Sequence, residues 1–394
     1  MITDTAIPRV ETMPEQTYLT WLKNNFSVST TTPDSYDLTS SGVMPPIALL
    51  VDQIRALGTE FKSYLETFAP WGEPLLLDSI SQIYHYPADR IVITSGVSSA
   101  LYLLSLALLK PGDECLVEQP GYEPFVLAPE LVGARVIPLP RRPEADYAVD
   151  LEELERLITP RTRMILLSNL HNPGMTDLTD EQIRDLFQRA RRRNPDVRLV
   201  IDEIFHDFIR DEQGTAAALD DGIVALNGLG KVYGMGAIHV GWMLASPDLV
   251  ARIRQLQEIV EGQGSTHVTE VLAGLVLQHH ADYDAHWRRL LIPNHRIAEA
   301  FLTPLVDSGV LSGRVSEHGT VIFPKVNGAA DADAVDRLVR DLAERQKVFV
   351  TAGRYFYGPL HIRIGIGGDS QRLEAGLVRL TDGLRAFANA AQSR

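Results

Sequence analysis

The chain has 394 residues, more than a single hydrophobic core ordinarily supports, so a larger and a smaller domain are expected. Its formal net charge of −14 argues against a basic surface for nucleic acid or for an anionic membrane, and it favours a small-molecule partner. The single cysteine, Cys115, excludes disulfide bonds within the chain and a cysteine metal cluster. We expect it to be a small core residue in a strand.

Two segments bear on the location of the protein. Residues 1–16 mix charges with prolines and lack the basic-then-apolar pattern of a secretion signal. The longest apolar run, residues 100–109, is interrupted by Ser105 and is too short to span a bilayer. The sequence therefore predicts a soluble, cytoplasmic protein.

Short apolar runs alternate with helical patterns between residues 90 and 246. Several of these runs are continuously apolar, which is typical of strands buried on both faces. The predicted strands are residues 90–94, 114–117, 134–137, 163–167, 197–201, 223–226 and 241–245. The predicted helices between them include residues 98–110, 151–158 and 179–193. This alternation predicts an α/β fold with a mostly parallel seven-stranded sheet, covered on both sides.

After Ser246 the pattern changes to longer charged helices, at residues 248–261 and 283–308. A last α/β unit has predicted strands at 320–324, 348–351 and 361–365 and helices at 332–345 and 371–388. We therefore predict three parts. These are an N-terminal arm and crossing segment (1–45), a large domain (46–290) and a smaller C-terminal domain (291–394).

Lys231 closes an apolar run and opens a stretch of small residues, 231–242. Burial would disfavour the ammonium form and lower the pKa of Lys231, and a neutral amine can condense with an aldehyde. A solvated lysine at the end of a strand explains this segment equally well. The other polar residues of the chain must decide between the two interpretations.

Three polar residues follow predicted strands, at the edge where open α/β sheets bind ligands. Asp202 could hold the proton of a pyridine nitrogen, although a helix cap or a salt bridge is the more ordinary role for one aspartate. Asn172 could donate to a phenolate oxygen, or it could simply form an Asn–Pro turn. Tyr122 could stack on a flat ring, or it could belong to the core.

Two further segments favour anionic ligands. Gly96, Val97 and Ser98 join a predicted strand to a helix, so their amides and the Ser98 hydroxyl could bind an anion, although an ordinary capped helix has the same pattern. Arg363 lies within an apolar strand, where an unpaired guanidinium would be costly. A substrate carboxylate would satisfy it, and so would a buried Asp or Glu.

Taken in order, these segments resemble the fold type I pyridoxal-phosphate enzymes of aminotransferase class I/II, from about residue 64 to residue 368. The resemblance implies that Lys231 forms a Schiff base with pyridoxal 5′-phosphate and later moves a proton. It also implies that Asp202 pairs with the ring nitrogen, Asn172 with the ring oxygen, and that Tyr122 stacks on the ring. Lys231, Asp202 and Tyr122 are thus the expected catalytic residues.

The same resemblance assigns the remaining contacts. Residues 96–98 would cradle the phosphate, and Tyr64 would reach the phosphate of a neighbouring subunit. Arg363, Gly42 and Asn172 would form the substrate site, in which Arg363 binds the α-carboxylate. The family is dimeric, with sites at the subunit boundary, so the resemblance implies a homodimer with an amino-acid substrate.

The phosphate site departs from the family pattern. Family members usually carry an arginine eight residues after the lysine, and here that residue is His239. Serines usual at three residues and one residue before the lysine are Gly228 and Gly230. His239 could compensate if the phosphate keeps it protonated, but a neutral imidazole supplies only one donor. We therefore predict weaker cofactor retention than in typical relatives.

Phe205 stands where the family usually has a tyrosine that donates to the ring oxygen, which leaves Asn172 as the main partner of that oxygen. Phe205, the segment 40–43 and the run 353–356 are similar to a subgroup around capreomycidine synthase. Those enzymes eliminate and cyclise on arginine derivatives in specialised metabolism. This similarity puts simple transamination in question.

Transamination is the leading expectation, because it is the most frequent chemistry of this fold. Elimination, replacement or cyclisation is the alternative within the family. A non-catalytic ligand-binding relative is disfavoured, because Lys231, Asp202 and Arg363 are all present. A dinucleotide-binding dehydrogenase is excluded, since no G-x-G-x-x-G opens a helix after the first strand, and the histidines show no metal-ligand spacing.

Overall fold

The computed structural model describes residues 16–66, 69–209, 214–262 and 266–392, so most of the amino-terminal segment used to predict location lies outside the described residues. The helices are α1 (Tyr18–Thr31), α2 (Ile47–Leu57), α3 (Glu60–Glu66), α4 (Pro74–Tyr84), α5 (Gly96–Leu108), α6 (Pro124–Leu131), α7 (Leu151–Leu157), α8 (Asp180–Arg193), α9 (Pro247–Val260), α10 (His267–Gln278), α11 (His280–Asp307), α12 (Ala332–Asp341) and α13 (Ser370–Gln392). The strands are β1 (Tyr36–Asp37), β2 (Ile91–Thr94), β3 (Glu114–Gln119), β4 (Arg135–Pro140), β5 (Thr162–Ser168), β6 (Arg198–Asp202), β7 (Ile223–Gly228), β8 (Gly241–Leu244), β9 (Leu311–Ser312), β10 (Val321–Ile322), β11 (Lys325–Val326), β12 (Val348–Phe349), β13 (Thr351–Ala352) and β14 (Ile362–Gly365).

A seven-stranded sheet in the order β2-β8-β7-β6-β5-β3-β4 forms the centre of the fold. Only β8 runs against its neighbours β2 and β7, and the other neighbouring pairs are parallel. The predicted α/β fold with a mostly parallel sheet is therefore confirmed. Cys115 is fully buried in β3, as expected.

The continuously apolar strands are buried because helices cover both faces of the sheet. Successive residues of β6 point to opposite faces, so Val200 packs into one buried cluster while Leu199 and Ile201 pack into another. Each fully buried aliphatic side chain contributes about 1.5–3 kcal/mol relative to an exposed one. This burial fixes the positions of the strand ends from which the candidate site is built.

A second core lies in the carboxyl-terminal third of the chain, and the long helix α11 connects it to the first. Tyr283, Trp287 and Leu291 of α11 pack into the core beside the sheet, whereas Leu302 and Leu305 pack with α12 and α13. The predicted boundary between residues 290 and 291 falls inside this helix. The three-part division stays a prediction, although β1 of the crossing segment does pair with β12.

Several elements differ from the sequence prediction. The prediction did not identify α1, α2, α3, α4, α6 and α10. In α1 many Thr, Ser and Asn residues hide the helical pattern, and α6 contains Pro129 in its interior. Helix α5 begins at Gly96 rather than Ser98, and α12 ends at Asp341, where a π-helical turn (Leu342–Gln346) follows. Within the described ranges, no helix combines the length and apolar character needed to cross a bilayer.

Candidate active site

The predicted site residues gather at the carboxyl edge of the sheet. Asp202 is the last residue of β6, and its register partner Ser168 is the last residue of β5. Asn172 and Tyr122 lie in the segments after β5 and β3, and Lys231 lies three residues beyond β7. Because parallel strands end at the same edge, residues distant in sequence converge there.

The half-buried Lys231 amine donates a hydrogen bond to Ser41 Oγ at 2.8 Å. The Phe205 ring lies 6.0 Å from the same nitrogen. Burial and the Arg363 charge lower the pKa of Lys231, the Asp202 charge opposes the shift, and the net value is about 8. An appreciable fraction of this amine is therefore neutral close to physiological pH, as attack on a carbonyl requires.

Asp202 is buried and accepts a hydrogen bond from the Ile204 amide at 3.0 Å. Burial and the nearby Glu118 raise the pKa of Asp202, the Ile204 amide and the Lys231 charge lower it, and the net value is about 7. Among the described residues, no basic side chain forms a salt bridge with it. A protonated ring nitrogen would supply the missing counter-charge.

Asn172 and Tyr122 flank the same space. The Asn172 amide N–H donates to Ser168 Oγ at 2.9 Å, and the buried side-chain oxygen Oδ1 has no hydrogen-bond partner among the described residues. The Tyr122 ring packs edge-on against Tyr18, at 6.0 Å between centroids. Burial raises the pKa of Tyr122, so its phenol stays neutral.

The amino terminus of α5 forms the anion-binding end of the site. The N-cap Ser95 makes no side-chain bond to the first turn, so the amides of Gly96, Val97 and Ser98 are free of a side-chain cap. A Cβ on Gly96 would lie 3.4 Å from the His239 ring, so the imidazole stands beside this turn. The structure thus brings His239 and residues 96–98 together, as the sequence predicted.

Packing explains one of the two glycines that stand where serines are usual. A Cβ on Gly228 would lie 3.0 Å from the Val240 carbonyl oxygen and 3.2 Å from Gly241 Cα, so a serine there would push β7 away from β8. A Cβ on Gly230 would meet its nearest neighbour, Gly236 Cα, at 3.7 Å. Gly230 therefore has room for a side chain, and nothing in the packing requires glycine there.

Arg363 is 1% exposed, and its guanidinium is only partly satisfied. Its Nη2 donates to Tyr18 Oη at 2.6 Å and to the Thr39 carbonyl at 3.0 Å, and its Nε is buried without a partner. The Phe356 ring lies 4.3 Å from the guanidinium carbon. In the described ranges no Asp or Glu pairs with Arg363, so the alternative of a buried ion pair is not observed.

Gly42 and Tyr64 differ in their relation to the site. A Cβ on Gly42 would lie 2.6 Å from the Gly230 carbonyl oxygen, and the Val43 amide donates to the Lys231 carbonyl at 3.0 Å. Glycine is therefore needed where the crossing segment passes Lys231. Tyr64 lies on α3, where its carbonyl accepts from His267 Nε2 at 2.6 Å. Its role across a subunit boundary stays a prediction.

Sequence reasoning missed Ser41 and Tyr18, which contact Lys231 and Arg363. Ser41 precedes Gly42, which was predicted to lie in the substrate site, and this adjacency was the only local signal for Ser41. Tyr18 is 345 residues from Arg363 and lies on the unpredicted helix α1. No local pattern could have joined those two residues.

The residues of this site suit pyridoxal 5′-phosphate. Lys231 offers a partly neutral amine to the aldehyde, and Asp202 offers a buried acid whose charge the nearby Lys231 only partly offsets. The uncapped first turn of α5 offers N–H donors to a phosphate. Asn172 has an amide whose Oδ1 lacks a partner among the described residues, and the Nδ2 of that amide is the donor that could bind the ring oxygen.

Comparisons with known proteins agree with this chemistry. The model of the family "Aminotransferase class I and II" matches residues 37–380. A capreomycidine synthase of Streptomyces vinaceus is 30% identical over 304 residues, which cover 77% of this chain and 76% of that protein. An arginine–pyruvate transaminase of Pseudomonas aeruginosa is 30% identical over 295 residues, covering 71% of this chain and 70% of that one.

The fold is also shared with solved structures. A crystal structure of the PLP-dependent cyclase OrfR matches with a TM-score of 0.83 at 24% identity, covering 97% of this chain and 99% of that one. The chain therefore belongs to the aminotransferase class I and II family and is a pyridoxal-phosphate-dependent enzyme of fold type I.

Proposed function

We propose that this enzyme acts on an α-amino acid with Lys231 as its covalent and proton-moving base, and that transamination is its first candidate reaction. When bound, pyridoxal phosphate supplies an electron sink that stabilises negative charge at Cα. The observation that carries the proposal is the position of the Lys231 amine, three residues beyond β7 at the sheet edge where Asp202 ends β6, with its Nζ 2.8 Å from Ser41 Oγ.

Each remaining residue holds one part of the cofactor. Asp202 keeps a proton at the ring nitrogen, and the Asn172 amide donates to the ring oxygen. Tyr122 packs against the ring and excludes water from one face. The first turn of α5 and His239 hold the phosphate, with fixed dipoles and one imidazole donor.

Arg363 binds the substrate α-carboxylate through its unsatisfied guanidinium face. With the carboxylate held there, the Lys231 amine would be placed to take the Cα proton. The fate of the electron pair left at Cα would separate the candidate reactions. Return of the proton by Lys231 to the carbon that the cofactor contributes would give transamination, whereas expulsion of a side-chain leaving group by that pair would give elimination or cyclisation.

Cyclisation or elimination on an arginine-like substrate is the second candidate. The likenesses to a capreomycidine synthase and an arginine–pyruvate transaminase support it. So does Glu123, which is 8% exposed, accepts the Tyr18 amide at 2.6 Å and forms no ion pair among the described residues. Glu123 follows Tyr122 in the chain, and an acidic side chain there would suit a substrate with a cationic side chain.

Incubating the purified holoenzyme with single amino acids, with and without a 2-oxo acid acceptor, distinguishes these reactions. Conversion of the cofactor to its amine form, reversed by pyruvate or 2-oxoglutarate, supports transamination. Release of ammonia or a cyclised product without an acceptor supports the second candidate. A protein that reacts with no amino acid while retaining the cofactor would contradict both.

We further propose a homodimer located in the cytoplasm. Ile47 and Val51 on α2 and Val268 on α10 are exposed apolar residues on two helices that contact each other, and exposed Met44 lies three residues before α2, which supports an interface there. Light scattering should give twice the chain mass of 43.6 kDa. A monomeric holoenzyme at micromolar concentration would contradict the dimer, and recovery in a membrane fraction would contradict the location.

Replacing His239 is expected to weaken cofactor binding about 5- to 10-fold, the value of one hydrogen bond. The backbone of His239 has φ +57, so His239→Asn keeps the conformation better than His239→Ala. His239→Arg should restore a permanent charge and tighten binding. Fluorescence titration of the apoenzyme measures both changes. Affinity equal to that of typical relatives, and unchanged in His239→Ala, would refute the predicted weakness.

Phe205→Tyr is expected to lower the pH midpoint of the bound cofactor's absorbance by about one unit, because a hydroxyl beside the ring oxygen stabilises its negative charge. Phe205 is 1% exposed and faces the Lys231 amine. Phe208→Tyr is a matched control, since Phe208 stacks on Phe205 but packs edge-on against Trp287. An unchanged midpoint in Phe205→Tyr rules out the proposed loss of a donor.

Capture of the cofactor by apoenzyme is expected to accelerate as the pH rises towards about 8, the pKa of Lys231, and to level off above it. Below that pH the amine is an ammonium ion and cannot attack the aldehyde. Arg363→Gln should move the midpoint up, because Arg363 lowers this pKa, and Asp202→Asn should move it down. Stopped-flow absorbance measures the rate of capture. Midpoint shifts in the same direction in the two variants would contradict the opposite effects of Arg363 and Asp202 on the pKa of Lys231.

A further inference from the structure

A buried ion pair lies near the carboxyl ends of β3 and β4. Glu118 of β3 and Arg141, which follows β4, form a salt bridge of 2.5 Å in which both side chains are fully buried. Desolvating two charges is expensive, and apolar residues of similar size often stabilise a core as well or better. Stability alone is therefore a poor explanation for this pair.

The two carboxylate oxygens of Glu118 have different partners. Oε2 accepts from Arg141 Nη1, and Oε1 accepts both from the Ser168 amide, at 2.8 Å, and from the Ser168 hydroxyl. Because the hydroxyl proton is directed to Glu118, the remaining lone pairs of Ser168 Oγ are available as acceptors. The Asn172 amide donates to that oxygen at 2.9 Å.

This chain of contacts ends at the residues assigned to the cofactor ring. Ser168 is the register partner of Asp202, and the Asn169 amide donates to the Asp202 carbonyl at 2.8 Å. The Asn172 side chain itself has no bond from Oδ1 to any described residue, so its position depends on how its backbone is held. The hydrogen bond from the Asn172 amide to Ser168 Oγ is one interaction that holds this backbone.

We propose that Glu118, held by its salt bridge to Arg141, is a positioning residue that sets the Asn172 side chain against the cofactor ring oxygen by orienting the Ser168 hydroxyl. This inference rests on the proposed function, because it assumes that Asn172 faces the ring. Burial raises the pKa of Glu118, and the Arg141 charge opposes that rise. Arg141 is held in turn by its Nε bond to the Tyr147 carbonyl.

A double-mutant cycle between Ser168 and Asn172 tests the link. Loss of the Asn172 donor leaves the ring oxygen less stabilised, so Asn172→Ala should raise the pH midpoint of the bound cofactor's absorbance by about one unit or more. Ser168→Ala leaves both buried charges in place and should raise the midpoint in the same direction by about half as much. If Ser168 acts through Asn172, the double variant shifts no further than Asn172→Ala alone.

The ion pair is tested by replacing both charges at once, because a lone buried Arg141 would destabilise the fold. Glu118→Met with Arg141→Met should reproduce the upward shift of Ser168→Ala. The matched control is Glu114→Met with Arg161→Met, a second Glu–Arg pair at the opposite end of β3, with 2.7 Å between its charged atoms. The control should leave the midpoint unchanged.

The outcomes separate this inference from the proposed function. A Ser168→Ala midpoint equal to wild type, or shifts that add in the double variant, would overturn the positioning role while the cofactor chemistry stands. Equal midpoint shifts in the Glu118→Met/Arg141→Met variant and in the Glu114→Met/Arg161→Met control would also overturn the positioning role. A protein without any cofactor absorbance would overturn the proposed function, and the positioning role with it.

Discussion

Replacing Lys231 by alanine is expected to slow amino-acid conversion by a factor on the order of 10⁴, because one side chain supplies both the covalent attachment and the proton transfer. The structure places no second lysine in contact with the described site residues. The cofactor should remain bound through the α5 turn and Asp202, although more weakly. Absorbance should then resemble that of free pyridoxal phosphate.

Borohydride reduction followed by peptide mapping checks the position of the attachment. In the wild type a single pyridoxyl adduct should map to Lys231, and in Lys231→Ala none should be found. Lys110→Ala, at an exposed position after α5, serves as the control and should leave the adduct and the rate unchanged. An adduct on any other lysine of the wild type would remove the foundation of the proposed mechanism.

Replacing Arg363 by lysine is expected to lower kcat/KM by about 10²- to 10³-fold, mainly through KM. Lysine keeps the positive charge, but it lacks the planar fork that binds a carboxylate through two parallel hydrogen bonds. It also loses the stacking of the guanidinium against Phe356 and the bond to Tyr18. Steady-state kinetics with the best amino-acid substrate measures the effect.

The affinity for the cofactor separates substrate binding from general damage to the fold. Arg363→Lys should bind pyridoxal phosphate as the wild type does, since the proposed partner of Arg363 is the substrate alone. Arg379→Lys is the matched control, because Arg379 stacks on Tyr36 at 4.9 Å in the same part of the chain. A KM that stays at the wild-type value in Arg363→Lys would show that another group binds the carboxylate.

The sequence was sufficient to predict the sheet and most of the residues at its edge, because both depend on local patterns. Continuous apolar runs marked the strands, and the polar residues that follow them had to meet at one edge. Asp202, Asn172 and Tyr122 were placed in this way, whereas Lys231 was identified from its apolar and small neighbours. The antiparallel direction of β8 was not predicted, since a short apolar strand reads the same in either direction.

Contacts between distant segments could not be predicted from local patterns. Tyr18 reaches Arg363 only because α1 packs against the aromatic cluster of Tyr355 and Phe356, and α1 itself lacks a clear apolar face. The ion pair of Glu118 and Arg141 was missed for a different reason. Each residue alone resembles an ordinary charged residue near a strand end, and only their simultaneous burial distinguishes them.

The crossing segment forms backbone hydrogen bonds near both Arg363 and Lys231. Its Leu38 carbonyl accepts from the Gly365 amide at 2.7 Å, two residues from Arg363, and its Val43 amide donates to the Lys231 carbonyl. The spacing between the guanidinium and the amine is thus set by backbone hydrogen bonds on both sides. If Arg363 binds the carboxylate as proposed, we expect α-amino acids, which have one carbon between carboxylate and nitrogen, to react faster than β-amino acids with the same side chain.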